Sequence, residues 1–212
     1  MAGKTQKLDS STEQQILEAA RKLFTRHGYD AVKTRDIAAE SGFNLALLNY
    51  YFKSKEKLFD RIMQENMKEF MQGVSGILND EQTVLEEKIR LLVEYYLDML
   101  IRNPDMPLFV LSHARRKGNK LNFREKFAES YFMKQIQQAI KAGKIEPIHP
   151  VNLMLNIVGL SIFPFIGRHI FQNEKGMTEE EFRILMQERK KMIPLWIESM
   201  LHQKKPGVTE RK

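Results

Sequence analysis

The sequence predicts an all-α protein with two helical domains. Apolar residues recur at steps of three and four along most of the chain, which is the spacing of one face of an α-helix. No stretch combines alternating apolar and polar residues with the β-branched enrichment typical of strands. Glycine, proline and asparagine divide the helical pattern into about nine segments. We therefore expect about nine helices, in a small domain over residues 1–54 and a larger one over residues 55–212.

The first four helices are delimited by residues that are typical of helix ends. Gly28 ends the first helix and Ser41-Gly42 ends the second, because glycine readily adopts the left-handed backbone that terminates many helices. Thr34, Asn44 and Ser54 are expected to cap the second, third and fourth helices, since short polar side chains accept hydrogen bonds from first-turn N–H groups. The fourth helix is much longer than the two before it.

Five further helices are expected after the fourth. In chain order they are Glu81–Arg102, Met106–Arg116, Asn122–Lys141, Pro150–Phe171 and Thr178–Gln203. Thr178 and Glu181 have the spacing of a capping box at the start of the last helix. Pro164 has no backbone N–H and therefore frees the carbonyl of Leu160, which predicts a kink in the preceding helix.

The composition limits the class of protein. Of the 212 residues, 42% are hydrophobic, which is enough for a packed core. The chain has no cysteine, so disulfides, thiolate metal sites and a cysteine nucleophile are excluded. The N-terminal lysines are not followed by an apolar segment, so we expect no signal peptide and a cytoplasmic location. The formal net charge of +7 favours a polyanionic partner.

One apolar segment resembles a membrane span. Val151–Ile166 is shorter than the ~20 residues that a bilayer requires, and it contains Asn152, Asn156 and Pro164. A helix that is buried in a core or between subunits explains the segment better, so no membrane partner is expected.

The second half of the chain has no recognisable catalytic motif. Its histidines are scattered without the spacing of metal ligands: His113, His149, His169 and His202. No HExxH, GxSxG or phosphate-loop pattern occurs. We therefore expect no enzyme activity, no cofactor and no metal. A helical small-molecule-binding protein, or an enzyme of another kind, without a DNA-binding role is the alternative.

The segment from Thr34 to Tyr51 has helix–turn–helix spacing. Thr34–Glu40 and Asn44–Tyr51 flank a tight turn at Ser41-Gly42-Phe43. Leu48 and Phe52 are expected to point into a small core. Five residues are then left for the exposed face of the second short helix: Leu45, Ala46, Leu47, Asn49 and Tyr50. A DNA major groove would suit them, because asparagine pairs with adenine, small apolar groups contact thymine methyls and tyrosine reaches phosphate.

Four motifs follow one another in Thr12–Phe59. They are Ile16-Leu17-x-Ala19-Ala20-x-x-Leu23-Phe24, Gly28-Tyr29, Thr34-x-x-x-x-Ala39-x-x-x-Gly42 and Tyr51-Phe52-x-Ser54-Lys55-Glu56-x-Leu58. Their order and spacing resemble the DNA-binding domain of the TetR family of bacterial transcriptional repressors. This resemblance covers about the first quarter of the chain, and the remainder is similar to the family only in being helical and of suitable length.

The resemblance implies a homodimer whose paired recognition helices enter successive major grooves of a palindromic DNA operator. It also implies a C-terminal helical domain that binds a small-molecule effector and thereby releases the DNA. The implied DNA-binding residues are Thr34, Arg35, Asn44, Leu45, Ala46, Leu47, Asn49, Tyr50 and Lys55. Among them Asn44 caps the recognition helix and Lys55 binds phosphate. Asn49 stands where the family usually has tyrosine, so the resemblance does not supply the operator sequence.

Bulky apolar residues recur at helical spacing in the C-terminal domain. Ordinary core packing is one interpretation of each, whereas the resemblance implies that some of them line a pocket for the effector. The candidate ligand-binding residues are Phe70, Leu92, Tyr95, Tyr96, Met99, Phe109, Phe123, Phe127 and Tyr131. The basic segment His113–Lys126 is either a solvated loop or the source of an arginine that pairs with an acidic ligand.

The last two long helices are apolar over wide faces. This apolar surface is larger than the core of one subunit can cover. We expect them to pack against their symmetry mates as a four-helix bundle. The candidate interface residues are Leu153, Ile157, Leu160, Phe182, Leu185, Ile193, Trp196 and Ile197.

Overall fold

The computed structural model describes residues 2–117, 127–172 and 176–202. Within these ranges the chain forms helices and no strand. The helices are α1 (Ala2–Ala31), α2 (Thr34–Ser41), α3 (Leu45–Phe52), α4 (Lys55–Asn79), α5 (Leu85–Arg102), α6 (Met106–Lys117), α7 (Tyr131–Lys141), α8 (Pro150–Ile166), α9 (Arg168–Phe171) and α10 (Glu179–His202). All except the single turn α9 have two turns or more, so the all-α prediction is confirmed.

Most of the helix ends lie where the sequence predicts them. Gly28 interrupts α1 with φ 76° and ψ 167°, and Gly42 ends α2 in the left-handed region with φ 75°. The Asn44 side-chain oxygen accepts a hydrogen bond from the Leu47 N–H at 2.9 Å. The Ser54 hydroxyl accepts one from the Lys57 N–H at 3.2 Å. These short-range hydrogen bonds satisfy first-turn donors that would otherwise have no partner.

The start of α2 differs from the prediction. Lys33, and not Thr34, occupies the N-cap position, and Thr34 is the first helical residue. The Asp36 carboxylate reaches back and accepts a hydrogen bond from the Lys33 N–H at 2.8 Å. A carboxylate in the first turn also interacts favourably with the helix dipole, so α2 begins without a capping hydroxyl.

Three later helices also differ from the prediction. α7 begins at Tyr131 rather than Asn122, because the Ser130 side chain caps it and accepts a hydrogen bond from the Met133 N–H. α5 begins at Leu85 rather than Glu81, because the Asp80 carboxylate accepts a hydrogen bond from the Gln82 N–H at 3.0 Å and holds a turn there. The helix expected over Pro150–Phe171 is divided at Gly167, which ends α8.

Pro164 lies inside α8, which continues beyond it to Ile166. Because Pro164 has no N–H, the carbonyl of Leu160 needs another donor. Arg189 of α10 supplies it, with 2.6 Å between Nη2 and the carbonyl oxygen. A long-range hydrogen bond thus replaces the missing helical one.

The chain divides into two compact units. The first consists of Met1–Glu69 and Arg102–Val110, and the second of Phe70–Ile101 and Leu111–Lys212. The chain therefore passes between the units three times, once within α4, once within α5 and once within α6. A functional boundary at residues 54 and 55 stays a prediction.

In the first unit, α2 packs against α1 and α3. The buried residues include Ile16, Leu17, Ala20, Phe24, Ile37, Ala38, Leu48, Phe52, Leu58 and Ile62. The inward placement of Leu48 and Phe52 is confirmed. Burying an apolar side chain of this size stabilises a fold by about 1.5–3 kcal/mol, so these two residues anchor the short α3.

In the second unit, α8 packs against α10. The buried residues include Leu92, Val93, Leu97, Leu100, Phe132, Met133, Ile136, Leu153, Ile157, Phe182, Met186, Ile193 and Ile197. None of the described helices combines the length and the apolar character that crossing a membrane requires.

Candidate nucleic-acid interface

The two faces of α3 differ in exposure. Leu48 and Phe52 are buried, whereas Ala46, Asn49 and Tyr50 are exposed. The Tyr50 side chain is 64% exposed, which is unusual for a large aromatic residue with no partner surface. The structure therefore brings the predicted groove-facing residues together on one side of a short, anchored helix. Leu45 and Leu47 are half-buried at its edges.

The residues expected at the ends of α2 and α3 lie as follows. Arg35 is exposed in the first turn of α2, beside the half-buried Thr34. Asn44 is exposed, but its side-chain oxygen is used to cap α3. Its amide N–H groups are the part of the side chain that can donate to another molecule.

Lys55 is directed into the protein. Its ammonium group donates to the carbonyls of Tyr29 and Val32, each at 2.9 Å, and lies 4.1 Å from the centroid of the Tyr29 ring. A lysine ammonium has three donors, so two of them are used within the unit. Lys55 thereby ties the start of α4 to the end of α1. Its contact with phosphate stays a prediction.

An aromatic cluster lies beneath this lysine. The rings of Phe24 and Phe59 meet edge to face at 5.2 Å, and the Tyr29 ring lies 4.6 Å from Phe59. Burial raises the pKa of the Tyr29 hydroxyl, and the nearby carboxylates, of which Glu56 contributes most, raise it further. Tyr29 is therefore neutral at pH 7 and serves as an aromatic platform for the Lys55 cation.

The segment between α5 and α6 completes the first unit. The Asp105 carboxylate accepts a hydrogen bond from the Tyr29 N–H at 3.2 Å, and the Asn66 amide donates to the Asn103 side chain at 2.8 Å. The Phe109 ring lies 6.2 Å from the Phe59 ring. Phe109, expected at the effector pocket, is thus part of the aromatic cluster. Phe59 is too distant from Phe109 in sequence for a helical repeat to indicate this contact.

Three of the candidate ligand-binding residues line one cavity in the second unit. Leu92, Tyr96 and Phe127 form part of its wall. The other lining residues are Val74, Leu78, Met154, Ile157 and Val158. The cavity holds about 10 Å³, which is roughly the space of one water molecule. An effector larger than water would have to open it.

Aromatic contacts surround this cavity. The Phe70 ring stacks on Tyr95 at 5.4 Å and meets Tyr96 edge to face at 4.7 Å. The Tyr95 hydroxyl lies where a Cβ would stand at Gly73, so glycine is required for this approach. Burial raises the pKa of the Tyr96 hydroxyl, which keeps it neutral at all ordinary pH values.

The other candidate ligand-binding residues lie elsewhere. Met99 is buried on α5. The Tyr131 ring lies 4.7 Å from the ammonium of Lys88, a fully buried lysine that donates to the Thr83 carbonyl and the Gln135 side chain. Phe123 lies outside the described residues, as do the side chains of the basic segment His113–Lys126.

Most of the candidate interface residues on α8 and α10 lie inside the subunit. Five of them are buried within the subunit: Leu153, Ile157, Phe182, Ile193 and Ile197. They pack inside the subunit and leave little surface for a second chain, so their place in a dimer interface stays a prediction. Leu160 and Leu185 are half-buried, and Trp196 is 38% exposed. The periodicity identified apolar faces correctly but not which of them points outward.

A helix–turn–helix unit with an anchored second helix has the architecture of DNA-binding domains that place this helix in the major groove. Residues 16–62 match the family described as bacterial regulatory proteins, tetR family. This match covers about the first quarter of the chain and includes the four motifs singled out in the sequence. The relatives named below are described as transcriptional regulators.

Similar proteins agree with this assignment. The chain is 25% identical over 148 residues to YfiR of Bacillus subtilis, an uncharacterized HTH-type transcriptional regulator, covering 65% of this chain and 69% of that protein. It is 28% identical over 118 residues to the HTH-type transcriptional repressor NicS of Pseudomonas putida, covering 51% and 54%. It is 26% identical over 181 residues to the nucleoid occlusion factor SlmA of Vibrio vulnificus, covering 82% and 91%.

Solved structures share the fold. A transcriptional regulator from Cytophaga hutchinsonii superposes with a TM-score of 0.60 at 19% identity, covering 89% of this chain and 97% of that one. A TetR/AcrR-family regulator from Thermobifida fusca superposes with a TM-score of 0.58 at 20% identity, covering 86% and 96%. At these identities the likeness concerns the fold alone.

Proposed function

We propose that this chain is a ligand-responsive repressor that acts in the cytoplasm. It binds a palindromic operator as a homodimer and is released by a small apolar or amphipathic effector. The observation that carries the proposal is the exposure of Asn49 and Tyr50 on a helix whose opposite face is fully anchored by Leu48 and Phe52. The similarity to the repressor NicS supports the direction of regulation.

A homodimer is supported by apolar side chains left exposed on α8 and α10. They are Leu155, Phe163, Ile184, Met192, Leu195, Trp196 and Met200. Clustered exposed apolar residues on a monomer mark an interaction surface, and a second copy is the commonest partner for such a surface. A dimer also presents two recognition helices to two half-sites.

The role assigned to Asn49 is tested by replacing it with alanine. Asn49→Ala is expected to weaken binding to the best DNA site and to relax the base preference at one position per half-site. The lost bidentate contact with a base should cost about 1–3 kcal/mol of discrimination. Sites selected from random DNA by the wild type and by the variant give the measurement.

Asn152→Ala is the matched control, because Asn152 is an exposed asparagine on α8 in the second unit. It should leave the selected sequence unchanged. If Asn49→Ala selects the same sequence as the wild type, then α3 does not read bases through Asn49.

The effector is proposed to bind in the second unit at the cavity lined by Leu92, Tyr96 and Phe127. α4 runs from the first unit into the second without interruption, so a ligand that displaces its second half also moves its start. Recognition helices must lie roughly 34–36 Å apart to enter successive grooves. The effector must therefore bind the DNA-free conformation more tightly, by about 1–3 kcal/mol of coupling.

Filling the cavity tests this location. Tyr96→Trp and Phe127→Trp are expected to reduce the response to effector while DNA binding without effector is largely retained. The measurement is DNA release with a compound found by screening small apolar and amphipathic molecules. Tyr131→Trp is the control, because Tyr131 packs beside Lys88 and does not line the cavity. Normal release by both cavity variants would place the effector site elsewhere.

A second candidate function follows from the extent of one similarity. The match to SlmA covers more of this chain than the matches to YfiR and NicS do. A role in nucleoid occlusion would use the same DNA-binding surface. Genome-wide footprinting in a deletion strain and its parent separates the two functions. Altered transcripts beside bound sites support the repressor, whereas a division defect with unchanged transcripts supports nucleoid occlusion.

A further inference from the structure

We propose that Lys53, rather than Lys55, supplies the lysine contact to DNA phosphate at the end of α3, and that a strained turn holds it there. The proposal rests on the placement of α3 as the recognition helix and deepens it. The resemblance to the family assigns this contact to Lys55. The geometry of this chain separates the two lysines clearly.

The backbone at Lys53 is unusual. Among the described residues, Lys53 alone has a positive φ without being glycine, with φ 62° and ψ −34°. The Ser54 N–H donates to the Phe52 carbonyl at 2.7 Å, so Lys53 is the central residue of a three-residue γ-turn with positive φ. Turns of this hand are rare and strained.

The turn is held from both sides. The Lys53 N–H donates to the Asn49 carbonyl at 3.0 Å and ends α3, while the Ser54 hydroxyl starts α4. Phe52 is buried immediately before it. A strained backbone conformation persists only where the surrounding structure enforces it, and such conformations occur preferentially at functional sites. Glycine would adopt this backbone at lower cost, so a lysine here points to a use for the side chain.

The Lys53 side chain lies on the DNA-facing side of α3. It is exposed, and its ammonium lies 5.5 Å from the centroid of the Tyr50 ring. Lys53 forms no ion pair with any other residue in the described ranges. Its three donors are therefore available to a phosphate. Lys55, by contrast, donates twice to carbonyls inside the unit.

Three substitutions separate charge from backbone strain. Lys53→Gly removes both, Lys53→Gln removes the charge and keeps the strain, and Lys53→Arg keeps both. Each is measured as the full chain, by binding to a DNA duplex that carries the site selected from random DNA, at several salt concentrations. Thermal unfolding is measured without DNA.

Lys53→Gly and Lys53→Gln are expected to bind about tenfold more weakly, because a charge-assisted hydrogen bond to phosphate is lost. The slope of log affinity against log salt should fall by about one. Lys53→Arg should retain most of the affinity. Lys53→Gly should raise the Tm, because glycine relieves the strain, and Lys53→Gln should not.

Lys134→Gln on α7 is the matched control, because it removes one exposed positive charge in the second unit. Wild-type affinity and salt slope in Lys53→Gly or Lys53→Gln would overturn the proposal. An equal loss in Lys134→Gln would also overturn it, because net charge alone would then explain the effect. A lower Tm in Lys53→Gly would contradict the claim that the turn at Lys53 is strained.

Lys55→Met completes the comparison. It should lower the Tm by several degrees, because the Tyr29 and Val32 carbonyls lose their donor. An unchanged Tm together with a salt slope reduced by about one would make Lys55 the phosphate lysine and overturn the proposal. A wild-type chain that selects no DNA sequence would instead refute the proposed function, so the two failures are distinguishable.

Discussion

Phe52→Ala is expected to lower the free energy of unfolding by about 3–5 kcal/mol. Phe52 is 6% exposed and belongs to a two-turn helix with only two buried residues, Leu48 and Phe52. Removing its ring creates a cavity and removes one of the two buried side chains that hold α3 in place. Denaturant unfolding of the full chain, followed by far-ultraviolet circular dichroism, gives the measurement. DNA binding should be lost together with the position of α3.

Tyr50→Ala is the matched control on the opposite face of the same helix. Its ring is largely exposed, so the free energy of unfolding should change by no more than about 0.5 kcal/mol. DNA affinity should nevertheless fall, because the exposed ring and hydroxyl of Tyr50 are proposed to contact the duplex. Equal destabilisation by Phe52→Ala and Tyr50→Ala would contradict the division of α3 into an inner and an outer face.

Leu195→Arg is expected to convert the proposed homodimer into a monomer. Leu195 is 56% exposed on α10, on the face that also carries Ile184 and Met192. Burying an arginine with no partner between two subunits is strongly unfavourable. Operator affinity should fall by roughly 10²–10⁴-fold, since the second half-site no longer binds within the same complex. Analytical ultracentrifugation and DNA titration give the two measurements.

Leu195→Arg is preferable to Trp196→Arg for this purpose. The Arg189 guanidinium lies 5.4 Å from the centroid of the Trp196 ring, so an arginine at Trp196 would also place two cations together within the subunit. Gln138→Arg on α7 is the control, because it adds the same charge at another exposed position. If the Leu195→Arg protein still sediments as a dimer at the protein concentrations at which the wild type does, this face of α10 is not the dimer interface.

Local features of this chain could be predicted because their causes are local. The cap at Asn44, the cap at Ser54 and the stop at Gly42 depend on hydrogen bonds and backbone angles within a few residues. The capping box at Thr178 was predicted for the same reason, and the Glu181 carboxylate accepts the Thr178 N–H at 2.7 Å. Leu48 and Phe52 are four residues apart and therefore lie on the same face of the helix, so helical spacing could place them inside together.

The all-α fold, the helix–turn–helix unit and the exposed face of α3 could therefore be predicted from local patterns in the chain. The direction of the Lys55 side chain could not be predicted in this way, because its acceptors at Tyr29 and Val32 lie 26 and 23 residues away. The same holds for Phe109, which packs against Phe59, and for the outward face of α10. Periodicity shows that a helix has an apolar face, but which partner covers that face depends on elements that are distant along the chain.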